Sequence, residues 1–367
     1  MKKNNEAFDD SMNYEVTIGI PVYKAVSYVG DTLRSALEQT FESIEFLVLD
    51  DCGNDGSMDV VRSLQQEHPR GQHIRIVSQP RNMGIGNGRN RIIDEARGRY
   101  LCFLDADDRL PPTAIATLYA AAREHDAQIV YGSNERVFDY DNDRESPDVR
   151  QDTTSRVERE CYRYMLFATN ADFCNYAYEQ YGNIPANVWK YLIDIRVYRD
   201  HQLRFPDINF WEDFAMTMDL PTYIERAVFL PDITYRYYCR YGTLSNNQKR
   251  EHIDKHEIEK IAAAIARLKT DGERLKDRPY YLKRCFKVMM TELYMACYVL
   301  DHQREIAPSF SNRELRAMLQ SPLSLAGLCG FSKWKLKNLA LWLLGALPDG
   351  LSVAAVRLLG KRKGLIR

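Results

Sequence analysis

The chain of 367 residues is 45% hydrophobic and 28% charged, ordinary globular proportions that exclude a largely disordered, collagen-like or many-helix membrane protein. Its 50 basic and 51 acidic residues leave a formal net charge of −1, which excludes a nucleic-acid binder working by bulk charge. The balance is uneven: from Gly330 to Arg367 eight Lys or Arg stand against Asp349 alone, a +7 tail on a body of −8.

Met1 to Asp10 is polar and acidic and lacks the apolar stretch of a secretory signal. From Val16 to about Gly132 the pattern alternates. Val16–Ile20, Ile44–Leu49, Ile74–Val77, Tyr100–Leu104 and Gln128–Tyr131 read as strands, and Ser27–Gln39, Ser57–Glu67, Gly86–Ala96 and Pro112–His125 as helices. Strand–helix alternation predicts βαβ units on a mostly parallel sheet flanked by helices, with ligands in the crevice beyond the carboxyl ends of the strands. Asp139 to Arg159, almost without apolar residues, reads as an exposed loop. Beyond Asn247 the pattern turns helical: Ile253, Ile258, Ile261, Ile265 and Leu268 form one stripe, and Tyr281 to Leu300 is a second candidate helix. This divides the chain into 14–247 and a helical C-terminal region, 248–367. The eight cysteines form no CxxC pair and several sit in apolar runs, so free thiols in a reducing cytosol are expected.

Two predicted strands run directly into acids, Leu49 into Asp50-Asp51 and Leu104 into Asp105-Ala106-Asp107-Asp108. Residues i and i+2 of an extended segment project to one side, so Asp105 and Asp107 can face one ligand: a hard divalent cation or the hydroxyls of a sugar. The alternative is that Asp107-Asp108 only caps the following helix. The glycine-rich stretch Asn82 to Asn90 suits a phosphate cradle but lacks a Walker lysine and the G-x-G-x-x-G spacing, and its Arg89 is either a phosphate or carboxylate partner or a solvated helix residue. Trp211-Glu212-Asp213-Phe214 places two acids among apolar neighbours, as a general base requires or as a helix N-terminus does.

The ordered set Ile20-Pro21-Val22-Tyr23, Leu49-Asp50-Asp51, Asn54-Asp55-Gly56-Ser57, Arg81-Asn82-x-Gly84, Gly88-Arg89-Asn90 and Phe103-Leu104-Asp105-Ala106-Asp107-Asp108 resembles the family 2 glycosyltransferases of the GT-A fold. The resemblance runs on through Val188-Trp189-Lys190, Glu212-Asp213, Tyr235-x-Tyr237 and Arg240 to Ser245, covering about 14–247. It implies an inverting transfer from a nucleoside diphosphate sugar, a UDP-sugar in particular, to a hydroxyl of a glycan or lipid-linked glycan in bacterial surface polysaccharide, lipopolysaccharide or capsule synthesis. By the same analogy Pro21, Tyr23 and Asp51 would contact the nucleoside with Arg89 nearby. Asp105 would take the ribose or metal side, Asp107 the Mn²⁺ or Mg²⁺, Lys190 and Arg240 the diphosphate, and Asp213 the role of general base. Cys52-Gly53-Asn54 departs from the family's usual residues after the aspartate pair. Two rivals stand beside this reading: a non-catalytic sugar-nucleotide or glycan binder on the same fold, and a nucleotidyltransferase, whose basic glycine-rich loop after the first strand is missing at Pro21-Val22-Tyr23-Lys24.

In the tail, Phe331 to Lys337 precedes the apolar run Leu339–Leu347, and Lys361-Arg362-Lys363 follows. That run is far shorter than the ~20 residues of a membrane span. A basic amphipathic segment opening on Trp334 predicts binding to an anionic membrane surface, a peripheral place on the inner face of the plasma membrane for an otherwise cytoplasmic protein; packing of the tail on its own protein is the alternative.

Overall fold

The computed structural model describes residues 14–138, 156–179, 184–208, 211–239, 252–329 and 332–366. The described residues fall into two units, one within 1–170, 187–205 and 223–248, the other within 171–186, 206–222 and 249–367.

In the first unit, β1 (Tyr14–Val22), α1 (Val29–Leu37), β2 (Ile44–Asp50), α2 (Ser57–Glu67), β3 (Ile74–Ser78), α3 (Ile85–Glu95), β4 (Gly98–Phe103), α4 (Ala114–Glu124) and β5 (Ile129–Phe138) follow the alternation that the apolar pattern predicts. Residues 16–22 of β1 and 44–49 of β2 are buried without interruption. Strands covered by helices on both faces need apolar residues on both, which is why these segments read as continuous runs. β1 pairs in parallel with β2 on one side and β4 on the other, and β2 with β3. The chain thus reverses its direction of travel across the sheet between β1 and β4, and a switch point of this kind opens a crevice at the strands' carboxyl ends. Pro21 to Tyr23 leave β1 there, and Asp105 to Asp108 leave β4.

Past β4 the sheet is mixed. β6 (Arg156–Glu160), β7 (Met165–Phe167), α5 (Asn170–Glu179), β8 (Tyr191–Asp194), α6 (Arg196–Asp200), α7 (Glu212–Asp219) and β9 (Ala227–Cys239) follow. β8 lies antiparallel between β4 and β5, β9 runs parallel to β5, and β7 lies antiparallel to β9. β6 corrects the loop expected over 139–159. Residues 156–160 pair antiparallel with 134–138 of β5 while all five stay exposed. Ladder hydrogen bonds and cross-strand charges such as Arg159 Nε to Glu135 Oε1 at 3.1 Å hold this edge, so it carries no apolar signature. The earlier part of that stretch, 139–155, lies outside the described residues.

The second unit is helical. It holds residues 171–179 of α5, α7, α8 (Lys255–Asp271), α9 (Tyr281–Asp301), α10 (Asn312–Met318), α11 (Lys333–Ala346) and α12 (Asp349–Arg362), with a two-residue strand pair, β10 (Ile253–Asp254) on β11 (Ile306–Ala307). The predicted stripe Ile258, Ile261, Ile265 and Leu268 is the buried face of α8. Arg284 of α9, 1% exposed, donates to the Leu268 carbonyl at 2.9 Å and to Asp219 Oδ1 at 2.6 Å, tying α8 and α7 to α9. Both tail helices pack on α9.

Candidate active site

At the end of β1 and β2 a cleft of about 320 Å³ is lined by Val22, Lys24, Asp50, Asn54, Asp55 and Arg62 among others. Pro21 is buried inside β1, and Tyr23, 44% exposed, stands just past it with the Lys24 ammonium 5.3 Å from its ring centre. Asp55 stands just before the N-cap Gly56 of α2: it accepts from the Ser57 hydroxyl at 2.6 Å and from the Val26 amide at 3.0 Å, so this carboxylate ties the start of α2 to the loop after β1.

Asp51 is 5% exposed and turned toward the glycine-rich segment. Its two oxygens accept the backbone N–H groups of Met83 at 2.8 Å and Gly84 at 3.0 Å. Gly84, at φ 83°, occupies the left-handed region where a side chain is strained, and this conformation presents its amide to Asp51. Two of the amides that a phosphate cradle would offer to a ligand are therefore taken by the protein's own carboxylate. Burial raises the Asp51 pKa above the usual carboxylate range, while the two amides pull it down.

Arg89 is not a solvated helix residue. It is 4% exposed, lies 5.9 Å from the Phe103 ring centre and 5.7 Å from that of Phe205, and donates from Nη2 to Asp105 Oδ1 at 3.2 Å. A guanidinium seated between aromatic rings holds its charge with little motional freedom. The structure thus brings together Arg89 and Asp105, from α3 and the end of β4.

The turn after β4 separates its acids. Asp105 and Asp107 are partly exposed, whereas Asp108 is fully buried. Asp108 accepts the Tyr235 hydroxyl at 2.9 Å and the Tyr238 amide at 2.8 Å, and the Tyr235 oxygen in turn accepts the Asp105 amide at 3.2 Å. Desolvation, joined by the charges of Asp107 and Asp105, pushes the Asp108 carboxyl well above its usual range against those two donors. Strand β9 thereby holds the acidic turn in place. Trp189 stacks on Tyr235 at 4.3 Å and lies parallel to Tyr237 at 5.6 Å, so two sequence motifs quoted for the family likeness meet as one aromatic stack. The sequence offered Asp108 only as a helix cap, but α4 opens at Thr113, and it gave no link between Asp108 and Tyr235, since nothing local connects positions 127 residues apart.

Lys190 is 3% exposed and its Nζ meets Glu160 Oε2 at 2.6 Å, so its partner within the first unit is a carboxylate of β6. Burial lowers its pKa, and Glu160 offsets part of that shift. Arg240 lies outside the described residues. Asp213 belongs to the second unit, in the first turn of α7, half-buried, with Oδ1 accepting its neighbour Phe214's amide at 2.7 Å. Glu212 beside it is buried, and Trp211 before them takes φ 68°, a sharp turn into the helix. The far end of α7 is anchored through Asp219, which pairs with Arg284 at 2.6 Å and Arg274 at 3.2 Å.

As a donor set, Asp105 and Asp107 fit a hard divalent cation, which takes one or two carboxylates and fills its remaining positions with water and substrate phosphate oxygens. Arg89 Nη2 meets Oδ1 of this Asp105 carboxylate at 3.2 Å.

Residues 17–178 match the model of glycosyl transferase family 2. The chain is 23% identical over 248 residues to glycosyltransferase GlyG of Streptococcus pneumoniae serotype 4, a match covering 65% of this chain and 75% of that protein. It is 24% identical over 307 residues to the succinoglycan biosynthesis protein ExoO of Rhizobium meliloti, covering 82% and 84% of the two chains. In three dimensions it resembles S. aureus TarS 1–349, crystallised in complex with UDP-GlcNAc, with TM-score 0.54 and 16% identity over 90% of each chain, which shows the shared GT-A fold. Residues 17–178 thus carry the likeness to glycosyl transferase family 2, on a fold shared with S. aureus TarS 1–349.

Proposed function

We propose that the protein is an inverting, metal-dependent glycosyltransferase that moves a sugar from a nucleoside diphosphate sugar, a UDP-sugar first among them, to a hydroxyl of a glycan or lipid-linked glycan in surface-polysaccharide synthesis at the cytoplasmic face of the plasma membrane. The observation that carries the reading is the carboxyl edge of β1 and β4, where the buried Arg89 meets Asp105 while Asp107 stays accessible two residues on. The likeness to a protein crystallised with UDP-GlcNAc supports the donor class, and the likeness to a succinoglycan biosynthesis protein supports the pathway class.

In this reading Pro21, Tyr23 and the cleft beside them receive the nucleoside, with Asp51 shaping the loop above it. Asp107, next to Asp105, holds Mn²⁺ or Mg²⁺. A bound cation would neutralise charge on the departing diphosphate. Lys190 and Arg240 add positive charge for the same diphosphate. Asp213 removes the proton from the acceptor hydroxyl as its oxygen bonds to the anomeric carbon and the carbon–phosphate oxygen bond breaks, with inversion.

A screen of nucleoside diphosphate sugars for Mn²⁺-dependent nucleotide release and thermal stabilisation tests the donor and metal assignments; no response to any of them would overturn both. Asp213→Asn keeps size and polarity but accepts no proton, so turnover falls by roughly 10²–10⁴ with donor affinity unchanged. Full turnover in that variant, measured with a verified acceptor, removes Asp213 from the role and makes Glu212 the next candidate.

A further inference from the structure

Helices α11 and α12 bury Leu341, Val353 and Val356 on their inner faces yet also hold large leucines on their outer, water-facing edges. A surface helix turns leucines inward and polar residues outward. Here Asn338, 1% exposed, and Ser352, 0% exposed, are buried, whereas Leu336 (53%) and Leu343 (51%) of α11 and Leu351 (60%) and Leu358 (63%) of α12 are among the most exposed large apolar side chains of the described residues. Each pair is seven residues apart, two helical turns, so each marks one outward edge. Exposed Ala340, Ala346 and Ala354 extend these edges.

The inner edges are fully engaged. The Asn338 amide donates to the Leu282 carbonyl at 2.8 Å, the Ser352 hydroxyl to the Leu344 carbonyl at 2.7 Å, and Gly360 packs so closely on α9 that a Cβ there would stand 3.1 Å from Cys297 Sγ. The leucines therefore cannot turn inward by a rotation of either helix without breaking this packing. The charge around them is mostly basic: Lys361, Arg362 and Lys363 are exposed, Lys335 and Lys337 partly so, exposed Lys333 pairs with Glu179 at 3.1 Å, and Asp349, the acid of this stretch, pairs with Arg316 at 3.2 Å. Trp334 lies at the basic end, its ring centre 4.6 Å from the Lys337 ammonium and 5.1 Å from that of Lys333.

We propose that the outer edges of α11 and α12 are a preformed docking surface for an anionic lipid bilayer, lying in the interface with Leu336, Leu343, Leu351 and Leu358 among the acyl chains and the lysines on the headgroups. Among the described residues no helix is long and apolar enough to cross a membrane, so the surface lies on the bilayer. Anionic headgroups complement the basic rim, whereas a second copy of the chain would set that rim against itself. The surface deepens the membrane side of the function proposed above, yet lipid binding is measured without donor or acceptor, so its failure and the failure of the transfer chemistry read separately.

The test is cosedimentation of the full chain with vesicles of phosphatidylcholine alone and of phosphatidylcholine with phosphatidylglycerol. The protein pellets with the anionic vesicles, and more weakly as salt rises. The double variant Leu343→Gln/Leu358→Gln lowers that partition about tenfold or more with little change in melting temperature, because both side chains are more than half exposed. The variant Lys361→Glu/Arg362→Glu, on exposed positions, weakens anionic binding alone and serves as the independent arm if the leucine variant folds poorly. A full chain that stays in the supernatant, or charge and leucine variants that pellet like the parent, overturns the proposal. A dimer in solution that the leucine variant dissociates, with no vesicle binding, overturns it in favour of self-association.

Discussion

Asp107 and Asp108 are neighbours in sequence and opposites in environment. Asp107 is partly exposed at the crevice edge, whereas Asp108 is sealed beneath it with the Tyr235 hydroxyl and the Tyr238 amide as donors. Asp107→Asn therefore removes Mn²⁺-dependent affinity for UDP in a calorimetric titration, while Asp108→Asn, whose oxygen keeps the Tyr238 amide and whose NH₂ can donate to a rotated Tyr235 hydroxyl, leaves that affinity close to its original value. Asp108→Ala strands two buried donors and costs about 1–3 kcal/mol of stability, read by denaturant unfolding. Equal loss of metal-dependent binding in both Asn variants would contradict this division of labour. From the sequence, the run of acids at a strand end was legible as a candidate site, with Asp105 and Asp107 set on one side; that Asp108 is sealed into the fold was not, because its burial is decided by β9, more than a hundred residues later.

At the scale of elements, the regular part of the first unit was readable because its cues are local. Ser57–Glu67 is a helix with the bounds expected from its spacing, and β1 to β5 fall on the apolar runs. The antiparallel β8 and the exposed β6 were not, since neither the direction of a strand nor an edge held by charges leaves a periodic trace. The β5–β9 pair shows how an irregularity serves the site. Its register shifts between Tyr131 and Ser133 and again between Ser133 and Asn134, beyond which Tyr235 pairs with Asn134 and reaches Asp108. Gly132 lies within this shift, where an added Cβ would stand 1.9 Å from Thr234 Oγ1 and 2.8 Å from Thr234 Cβ. Gly132→Ala thus forces β9 away and destabilises the protein by about 1–3 kcal/mol, and the loss shows as a lower denaturation midpoint. An unchanged midpoint would mean that β9 accommodates the methyl group and that this close approach does not hold the register.

Over the whole molecule, the helical C-terminal region has a built interior of its own, with buried charge that responds to pH. Lys287 of α9 is 8% exposed, donates to the Ala177 carbonyl of α5 at 2.9 Å, and is lowered by burial from its ordinary 10.5 to about 8. Between those values the unfolded chain carries a proton that the folded chain has given up, so stability rises with pH from about 8 to 10.5. Lys287→Met removes this contribution. Melting curves of parent and variant across that range should differ in slope, and parallel profiles would show that Lys287 stays charged in the folded protein.

By itself the sequence determined the alternating α/β order, the acidic strand ends, the family likeness and the basic apolar tail, because apolar periodicity, strand-end acids and motif spacing are written in near neighbours. Only the tertiary structure decided that Arg89 sits on Asp105, that Asp51 fills the glycine-rich turn, that Lys190 meets Glu160, and that the tail keeps Leu336, Leu343, Leu351 and Leu358 outside while burying Asn338 and Ser352. Those choices depend on desolvation and hydrogen-bond partners supplied by elements far along the chain, and no local pattern records which partner arrives.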